Sequence, residues 1–104
     1  MTNTEITRFN TAMKTKSAKL LKKLAKDESN MVRGAVAANL HTDSETLKVL
    51  ATDKNIYVRC DVADNISIGN EVIDILANDA SFLVRRHLSR NIRVDKALAQ
   101  TLAV

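Results

Sequence analysis

Residues 50–66 read Leu-Ala-Thr-Asp-Lys-Asn-Ile-Tyr-Val-Arg-Cys-Asp-Val-Ala-Asp-Asn-Ile, and this pattern occurs twice more in the chain. Residues 24–40 read Leu-Ala-Lys-Asp-Glu-Ser-Asn-Met-Val-Arg-Gly-Ala-Val-Ala-Ala-Asn-Leu, and residues 76–92 read Leu-Ala-Asn-Asp-Ala-Ser-Phe-Leu-Val-Arg-Arg-His-Leu-Ser-Arg-Asn-Ile. Successive copies are 26 residues apart. A fixed period of this size is the signature of a repeat array. The sequence therefore predicts a stack of similar units that forms one domain over residues 1–104.

The composition favours helices. The 104 residues include no proline, two glycines and only three aromatic residues. Abundant Ala, Leu and Lys suit helices better than sheets. We therefore expect an all-α protein.

The chain shows no sign of a membrane span, a secretion signal or a cofactor. No apolar run approaches the roughly 18 residues of a spanning helix, and the polar N-terminus lacks the apolar core of a signal peptide. The single Cys60 excludes an intramolecular disulfide and a multi-cysteine metal or iron–sulfur site. These features predict a soluble, cytoplasmic protein without a cofactor.

Two short helices are predicted in each repeat from recurring N-cap residues. The caps are Ser17, Asp43, Gly69 and Asp95 for the first helix, and Ser29, Asn55 and Ser81 for the second. The repeats then cover about 17–42, 43–68 and 69–94, with a half-repeat over 95–104. In the segment 1–16, Ile6, Phe9 and Met13 have helical spacing and predict an amphipathic helix that caps the first repeat.

Each predicted helix has one apolar face. In the first helix it consists of Leu20/Thr46/Val72/Leu98, Leu21/Leu47/Ile73/Ala99, Leu24/Leu50/Leu76/Leu102 and Ala25/Ala51/Ala77/Ala103. In the second helix it consists of Val32/Val58/Val84, Val36/Val62/Leu88 and Ala37/Ala63/Ser89. Helices of about nine residues do not persist alone, so stability must come from stacking.

A recurring asparagine ends each second helix and is followed by an apolar residue. These pairs are Asn39-Leu40, Asn65-Ile66 and Asn91-Ile92. Asparagine tolerates the left-handed conformation found just past a helix C-terminus, where an apolar neighbour often packs back on the helix. The pattern predicts a Schellman-type ending.

The pattern Leu-Ala-x-Asp-x4-Val-Arg-x2-Val-Ala-x-Asn resembles the HEAT-like helical repeats, and is most similar to their short relative, the leucine-rich repeat variant. The resemblance covers about residues 17–104. It implies short paired helices stacked into a right-handed α-solenoid whose second helices line the concave side. Two family features are missing: the Thr-Pro that often opens a variant repeat appears here as Thr42-Asp43, and the cysteine cluster of some members is absent.

Positions that recur are expected to be structural. Each repeat has an arginine six residues after its aspartate: Asp27/Arg33, Asp53/Arg59 and Asp79/Arg85. One hypothesis is an Asp–Arg ladder that holds neighbouring turns together. The alternative is a row of arginines that binds phosphate.

Positions that change between repeats are the candidates for function. On the second helix they are Gly34/Cys60/Arg86, Ala35/Asp61/His87 and Ala38/Asp64/Arg90, and their spacing places each set on one exposed face. The candidate partner-binding residues are Asp61, Asp64, Arg86, His87 and Arg90. One hypothesis is that they form a mixed-charge recognition surface. The other is that the two aspartates make ion pairs with Arg86 and Arg90 across adjacent repeats. The two hypotheses are compatible.

A basic stripe lies on the first helix of the first repeat. Lys19, Lys22, Lys23 and Lys26 are spaced along one helical face. The stripe either contacts an anionic partner or is a solvated outer surface. Charge alternates along the chain: residues 1–40 and 82–104 are basic, whereas residues 41–81 carry three basic and eight acidic groups.

These patterns favour a non-catalytic scaffold that binds a partner protein on its concave second-helix face. The alternative is a protein that binds the nucleic-acid backbone through its basic ends. His41 and His87 lack a plausible metal-ligand set, Cys60 is expected to be a partly exposed inert thiol, and no nucleophile signature is present. The apolar Leu98, Ala99, Leu102 and Ala103 have no second helix to cover them, so we also consider a homodimer through this C-terminal edge, beside simple capping or docking of a partner.

Overall fold

The computed structural model describes residues 1–91 and Val94, and within them it contains seven helices and no strand. The helices are α1 (Asn3–Lys14), α2 (Ala18–Leu24), α3 (Asn30–Ala38), α4 (Ser44–Leu50), α5 (Ile56–Asp64), α6 (Asn70–Ala77) and α7 (Phe82–Ser89). The all-helical prediction is confirmed. None of these seven helices is long and apolar enough to cross a bilayer.

The helices begin where the N-cap residues predict. The side chains of Ser17, Asp43, Ser29, Asn55 and Ser81 each accept a hydrogen bond from a backbone N–H in the first turn. Gly69 is also an N-cap but has no side chain to contribute. These bonds satisfy amides that have no partner within the helix, and they fix the register of each helix.

The predicted Schellman ending is wrong. Asn39 and Asn65 have extended backbones, with φ of −76° and −75°, and no described non-glycine residue has a positive φ. Leu40 and Ile66, which were expected to pack back on the helix, are 54% and 52% exposed.

The asparagines instead connect successive helices. The buried amide of Asn65 donates to the carbonyl oxygens of Ala37 (2.8 Å) and Asn39 (3.1 Å). Asn91 donates in the same way to Ala63 (2.6 Å) and Asn65 (3.0 Å). Because the last carbonyls of a helix lack an intrahelical donor, each amide satisfies a buried acceptor at the end of the preceding second helix.

Asn39 extends this series to α1. Its amide donates to the carbonyls of Ala12 and Thr15, both at 2.9 Å. Helix α1 therefore packs on α3 as α3 packs on α5. The predicted amphipathic helix is present, but its most buried residue is Ala12, and Ile6 and Met13 are 42% and 50% exposed.

The seven helices form two layers. The odd layer contains α1, α3, α5 and α7, each in contact with the next, and the even layer contains α2, α4 and α6. Most predicted core positions are buried between the layers, including Leu47, Leu50 and Val62. Thr46 is buried as predicted, whereas Ala77 and Ser89 are exposed, contrary to prediction. Thr42 and Ile68 are also buried, although the predicted apolar faces did not include them.

The recurring arginines join adjacent helix pairs, as the ladder hypothesis predicts. Arg33 Nε lies 2.8 Å from Asp53 Oδ2, and Arg59 Nε lies 2.8 Å from Asp79 Oδ2. The same guanidinium groups donate to the backbone carbonyls of Asp27 and Asp53, six residues earlier. Arg33 and Arg59 thus each bridge the aspartate turn of their own repeat and that of the next. Within the described residues, Arg85 bonds only the Asp79 carbonyl of its own repeat.

The geometry also explains how Asp27 and Asp79 stay ionised. Burial alone would raise the pKa of Asp79, but the hydrogen bonds from Arg59 and from the backbone N–H of Ser81 lower it below its ordinary value. In α1, Arg8 pairs with Asp27 at 2.7 Å, and the pKa of Asp27 is lowered in the same way.

The fourth copy of the pattern lies outside the described residues. This applies to Asp95, to the half-repeat over 95–104, and to the apolar residues Leu98, Ala99, Leu102 and Ala103 on which the homodimer hypothesis depends. Val94 is half-buried against the core.

Replacing Asn65 with Ala should destabilise the protein by about 2–4 kcal/mol, because buried carbonyls lose a donor and each unsatisfied group costs about 1–3 kcal/mol. The matched control is Asn78→Ala, whose amide bond to the Asp74 carbonyl is exposed to water. Urea unfolding measures both. Equal losses in the two variants would contradict a structural role for the asparagine amides.

Candidate functional site

The five predicted partner-binding residues lie in the odd layer. Asp61 and Asp64 are on α5, Arg86 and His87 are on α7, and Arg90 is the C-cap of α7. Asp64, Arg86 and Arg90 are exposed, whereas Asp61 and His87 are partly buried. We call the exposed surface of α1, α3, α5 and α7 the second-helix face.

The variable positions are not all exposed, contrary to prediction. Gly34, Ala35 and Cys60 are buried because α3 lies directly against α5. Cys60 is only 4% exposed, and its burial raises the pKa of the thiol. A buried thiol with a raised pKa is a poor nucleophile, because the reactive species is the thiolate.

One acidic residue makes a side-chain hydrogen bond across helices, but with a different partner from the predicted arginines. Asp64 contacts His87, whose Nδ1 lies 2.9 Å and 3.0 Å from the two carboxylate oxygens. Neither Arg86 nor Arg90 forms an ion pair with a described residue. The predicted pairing of Asp61 and Asp64 with the arginines is therefore wrong within residues 1–91, and both guanidinium groups face solvent.

Asp61 has an unusual environment for a carboxylate. It accepts no hydrogen bond from the described residues, and the pKa of its carboxyl group is raised to about 6. Burial is the main cause, the negative charge of Asp64 adds to it, and His87 opposes it. A side chain at Gly34 would conflict with this carboxylate, since a Cβ atom there would lie 2.6 Å from Asp61 Oδ2.

Asp61 lies in a groove between α1, α3 and α5. The groove has a volume of about 340 Å³. Its apolar walls include Met13, Met31 and Tyr57, which are 50%, 51% and 68% exposed. Asn30 and Asn55 also line it, and Gly34 and Ala35 form part of its lining beside Asp61.

The sequence indicated Asp61 but missed the groove. Met31 and Tyr57 occupy equivalent positions, 26 residues apart, and neither belongs to the predicted apolar face of its helix. Large apolar residues outside that face were the available signal. Met13 was instead assigned to the buried face of the N-terminal helix.

The basic stripe occupies the other layer. Lys19, Lys22 and Lys23 lie on α2 and Lys26 follows it; all four are exposed, and none forms an ion pair with a described residue. Lys22 lowers the pKa of Asp43, after the stronger effect of hydrogen bonds from Thr46. The stripe and the arginines Arg86 and Arg90 are thus on different layers and near opposite ends of the described helices.

No cluster of three or more His, Cys, Asp or Glu residues within 1–91 and Val94 has the arrangement to hold a metal ion. No protein-family model, curated protein or solved structure matches the chain.

Replacing Asp61 with Asn should stabilise the protein at neutral pH. Because the folded state raises the pKa of Asp61 from 3.8 to about 6, the folded protein holds this proton more tightly than the unfolded chain. The ionised carboxylate therefore destabilises the fold increasingly from about pH 4 to 6, and fully above pH 6. After allowance for solvent screening, we expect Asp61→Asn to gain about 1 kcal/mol at pH 7.5 and almost nothing near pH 4.

Thermal unfolding at both pH values measures this difference. The control is Asp74→Asn, an exposed aspartate on α6 without an ion pair. A gain at pH 7.5 that persists at pH 4 would show that burial of the charge is not its cause.

Proposed function

We propose that the protein is a right-handed, HEAT-like α-solenoid built on the 26-residue period of its sequence. It acts as a non-catalytic scaffold and binds a partner protein on its second-helix face. The observation that carries the binding proposal is the groove between α1, α3 and α5, with its exposed apolar walls and its acidic residue.

The stacking bonds support the architecture. Asn65 and Asn91 make equivalent bonds to residues 26 and 28 positions earlier, and Arg33 and Arg59 each reach an aspartate 20 positions later. The molecule is also elongated, with extents of 50 × 26 × 18 Å. A linear stack of similar helix pairs accounts for all three features.

The exposed apolar side chains support protein binding. Met13, Met31 and Tyr57 line one groove and are each at least half exposed. Contiguous exposed apolar surface marks interaction sites, and Tyr and Met are enriched in protein interfaces. A protein partner would bury these side chains.

The charges next to the groove would give such an interface its orientation. Asp61 and Asp64 make α5 acidic, whereas Arg86 and Arg90 make the end of α7 basic. A partner with the opposite order of charges would be favoured in one alignment only. His87 lies between the two groups, bonded to Asp64.

The groove is better suited to binding than to catalysis. Among the lining residues in the part of the chain that the structure describes, only Asp61 and Tyr57 can ionise. General acid–base chemistry at a carboxylate normally needs a second positioned group or an activated nucleophile, and the buried Cys60 thiol is not among the lining residues.

Nucleic-acid binding is the second candidate, favoured by the four exposed lysines of the basic stripe. The arrangement of charge makes nucleic-acid binding the less favoured of the two functions. The lysines are in the even layer, Arg86 and Arg90 are at the far end of the odd layer, and the acidic residues of α5 precede α7 along that layer. A phosphate backbone that reached both basic groups would pass from one layer to the other.

Photo-cross-linking tests the protein-binding proposal. A benzophenone amino acid replaces Tyr57 or Met31 in the full chain, and the control position is Val49 on α4, which is 64% exposed against 68% for Tyr57. In a lysate of the source cells, we expect one protein to be cross-linked at positions 57 and 31 and identified by mass spectrometry. The proposal would be contradicted if positions 31 and 57 gave no cross-link, or if the protein were cross-linked from position 49 alone.

Fluorescence anisotropy with labelled duplex DNA and single-stranded RNA tests the second candidate. We expect weak binding that disappears near physiological salt, about 0.15 M, because a few phosphate contacts release few counterions. The double variant Lys22→Glu, Lys23→Glu should abolish the weak nucleic-acid binding that is measured at low salt. Tight binding at physiological salt that is abolished by Arg86→Glu with Arg90→Glu would favour nucleic acid as the partner.

A further inference from the structure

We propose that the groove between α1, α3 and α5 binds an arginine of the partner protein, with its guanidinium on the Asp61 carboxylate and its apolar neighbours against Met13, Met31 and Tyr57. This inference rests on the proposed protein-binding function and names the chemistry that the second-helix face recognises.

The Asp61 carboxylate is an acceptor to which the described residues offer no donor. It lies between α5 and α3, close to Gly34, where the missing Cβ leaves space for Oδ2. It receives no hydrogen bond from the described residues, although an ionised carboxylate can accept about four. A ligand that enters the groove therefore meets a half-buried carboxylate to which none of residues 1–91 donates a hydrogen bond.

The charge of the groove selects a cation. Of the described residues that line the groove, Asp61 alone carries a formal charge when Tyr57 is neutral. Asp64 lies one turn further along α5 and adds a second negative charge, which His87 contacts. Burial and Asp64 raise the pKa of Asp61, so a bound cation would relieve an unfavourable charge.

The groove favours arginine over lysine for two reasons. A guanidinium binds both oxygens of a carboxylate at once and is less strongly hydrated than an ammonium group, so it loses less on entering a partly buried site. It also stacks on aromatic rings, and Tyr57 lies in the groove wall.

The remaining lining suits the residues on either side of such an arginine. Methionine side chains are flexible and adapt to different apolar partners, so Met13 and Met31 can pack on an aliphatic neighbour. The side-chain amide of Asn30 has no hydrogen bond within the described residues, and that of Asn55 uses only its oxygen, for helix capping. Both amides can therefore bond to the backbone of an extended peptide. A volume of about 340 Å³ admits side chains but not a second folded element.

The test is a selection of random peptides displayed on phage against the immobilised full chain, followed by affinity measurements with synthetic versions of the enriched peptides. We expect the enriched peptides to share an arginine flanked by apolar residues. Asp61→Asn should weaken their binding about tenfold or more, since a charge-assisted bidentate pair is lost. Replacement of the peptide arginine by lysine should weaken it less than replacement by leucine.

Two measurements separate recognition from folding. Asp61→Asn is isosteric and is expected to stabilise the protein above pH 6, so unfolding would not explain lost binding; a thermal melt checks this. Asp74→Asn, on the even layer, is the matched control and should leave the affinity unchanged.

Enriched peptides that lack arginine, or that bind equally well to Asp61→Asn, would overturn the inference. If they depended on Arg86 and Arg90 instead, protein binding on the second-helix face would survive and only the identity of the recognised side chain would be wrong. A selection without binders would also overturn the inference, and the cross-linking experiment then decides the proposed function independently.

Discussion

The interaction on which the structure depends is the hydrogen bond between a buried asparagine amide and the end of the neighbouring helix in the odd layer. The helices contain seven to twelve residues, and most are too short to be stable alone. Their last carbonyls need donors, because burial between neighbours removes them from water. Asn39, Asn65 and Asn91 supply those donors, and the Arg33–Asp53 and Arg59–Asp79 pairs connect adjacent units at another point of each repeat. Apolar packing holds the layers together, but these polar bonds fix how far each helix is displaced from the next.

Much of the helical layout could be predicted from the sequence, because it follows from local rules. Helix starts depend on one side chain and the amides of the first turn, so Ser29 and Asn55 were identified correctly. The asparagines were assigned to the right places but to the wrong interaction. A local pattern cannot distinguish an asparagine that turns the chain from one that donates to a carbonyl more than 20 residues earlier. Ala77 was misassigned for a similar reason, since spacing alone does not show which positions a neighbouring helix covers.

The candidate site shows the same limit. Asp61 and Asp64 differ from their counterparts in other repeats, and this difference identified them as candidates. The prediction that Arg86 and Arg90 pair with these aspartates was wrong. Which side chains meet across two helices depends on how each helix is rotated about its own axis, and residue spacing does not specify that rotation. His87 therefore contacts Asp64 instead. The groove itself was missed, since it requires Met13 of α1 to lie beside Met31 of α3 and Tyr57 of α5. What makes Asp61 unusual is that no residue within the described part of the chain donates a hydrogen bond to it, and such an absence has no sequence signature.

The close approach of α3 to α5 at Gly34 has a consequence for how such a surface can diversify. The residue at this position in one helix sets the space for the acidic side chain of the next helix, where a Cβ atom would lie 2.6 Å from Asp61 Oδ2. The equivalent positions hold cysteine in α5 and arginine in α7. A single substitution at this position can therefore change the depth of the neighbouring groove while the asparagine and arginine bonds that maintain the stack stay in place. The residues whose bonds maintain the stack are thereby different from those that shape the groove, so the groove can vary over evolutionary time without loss of these bonds.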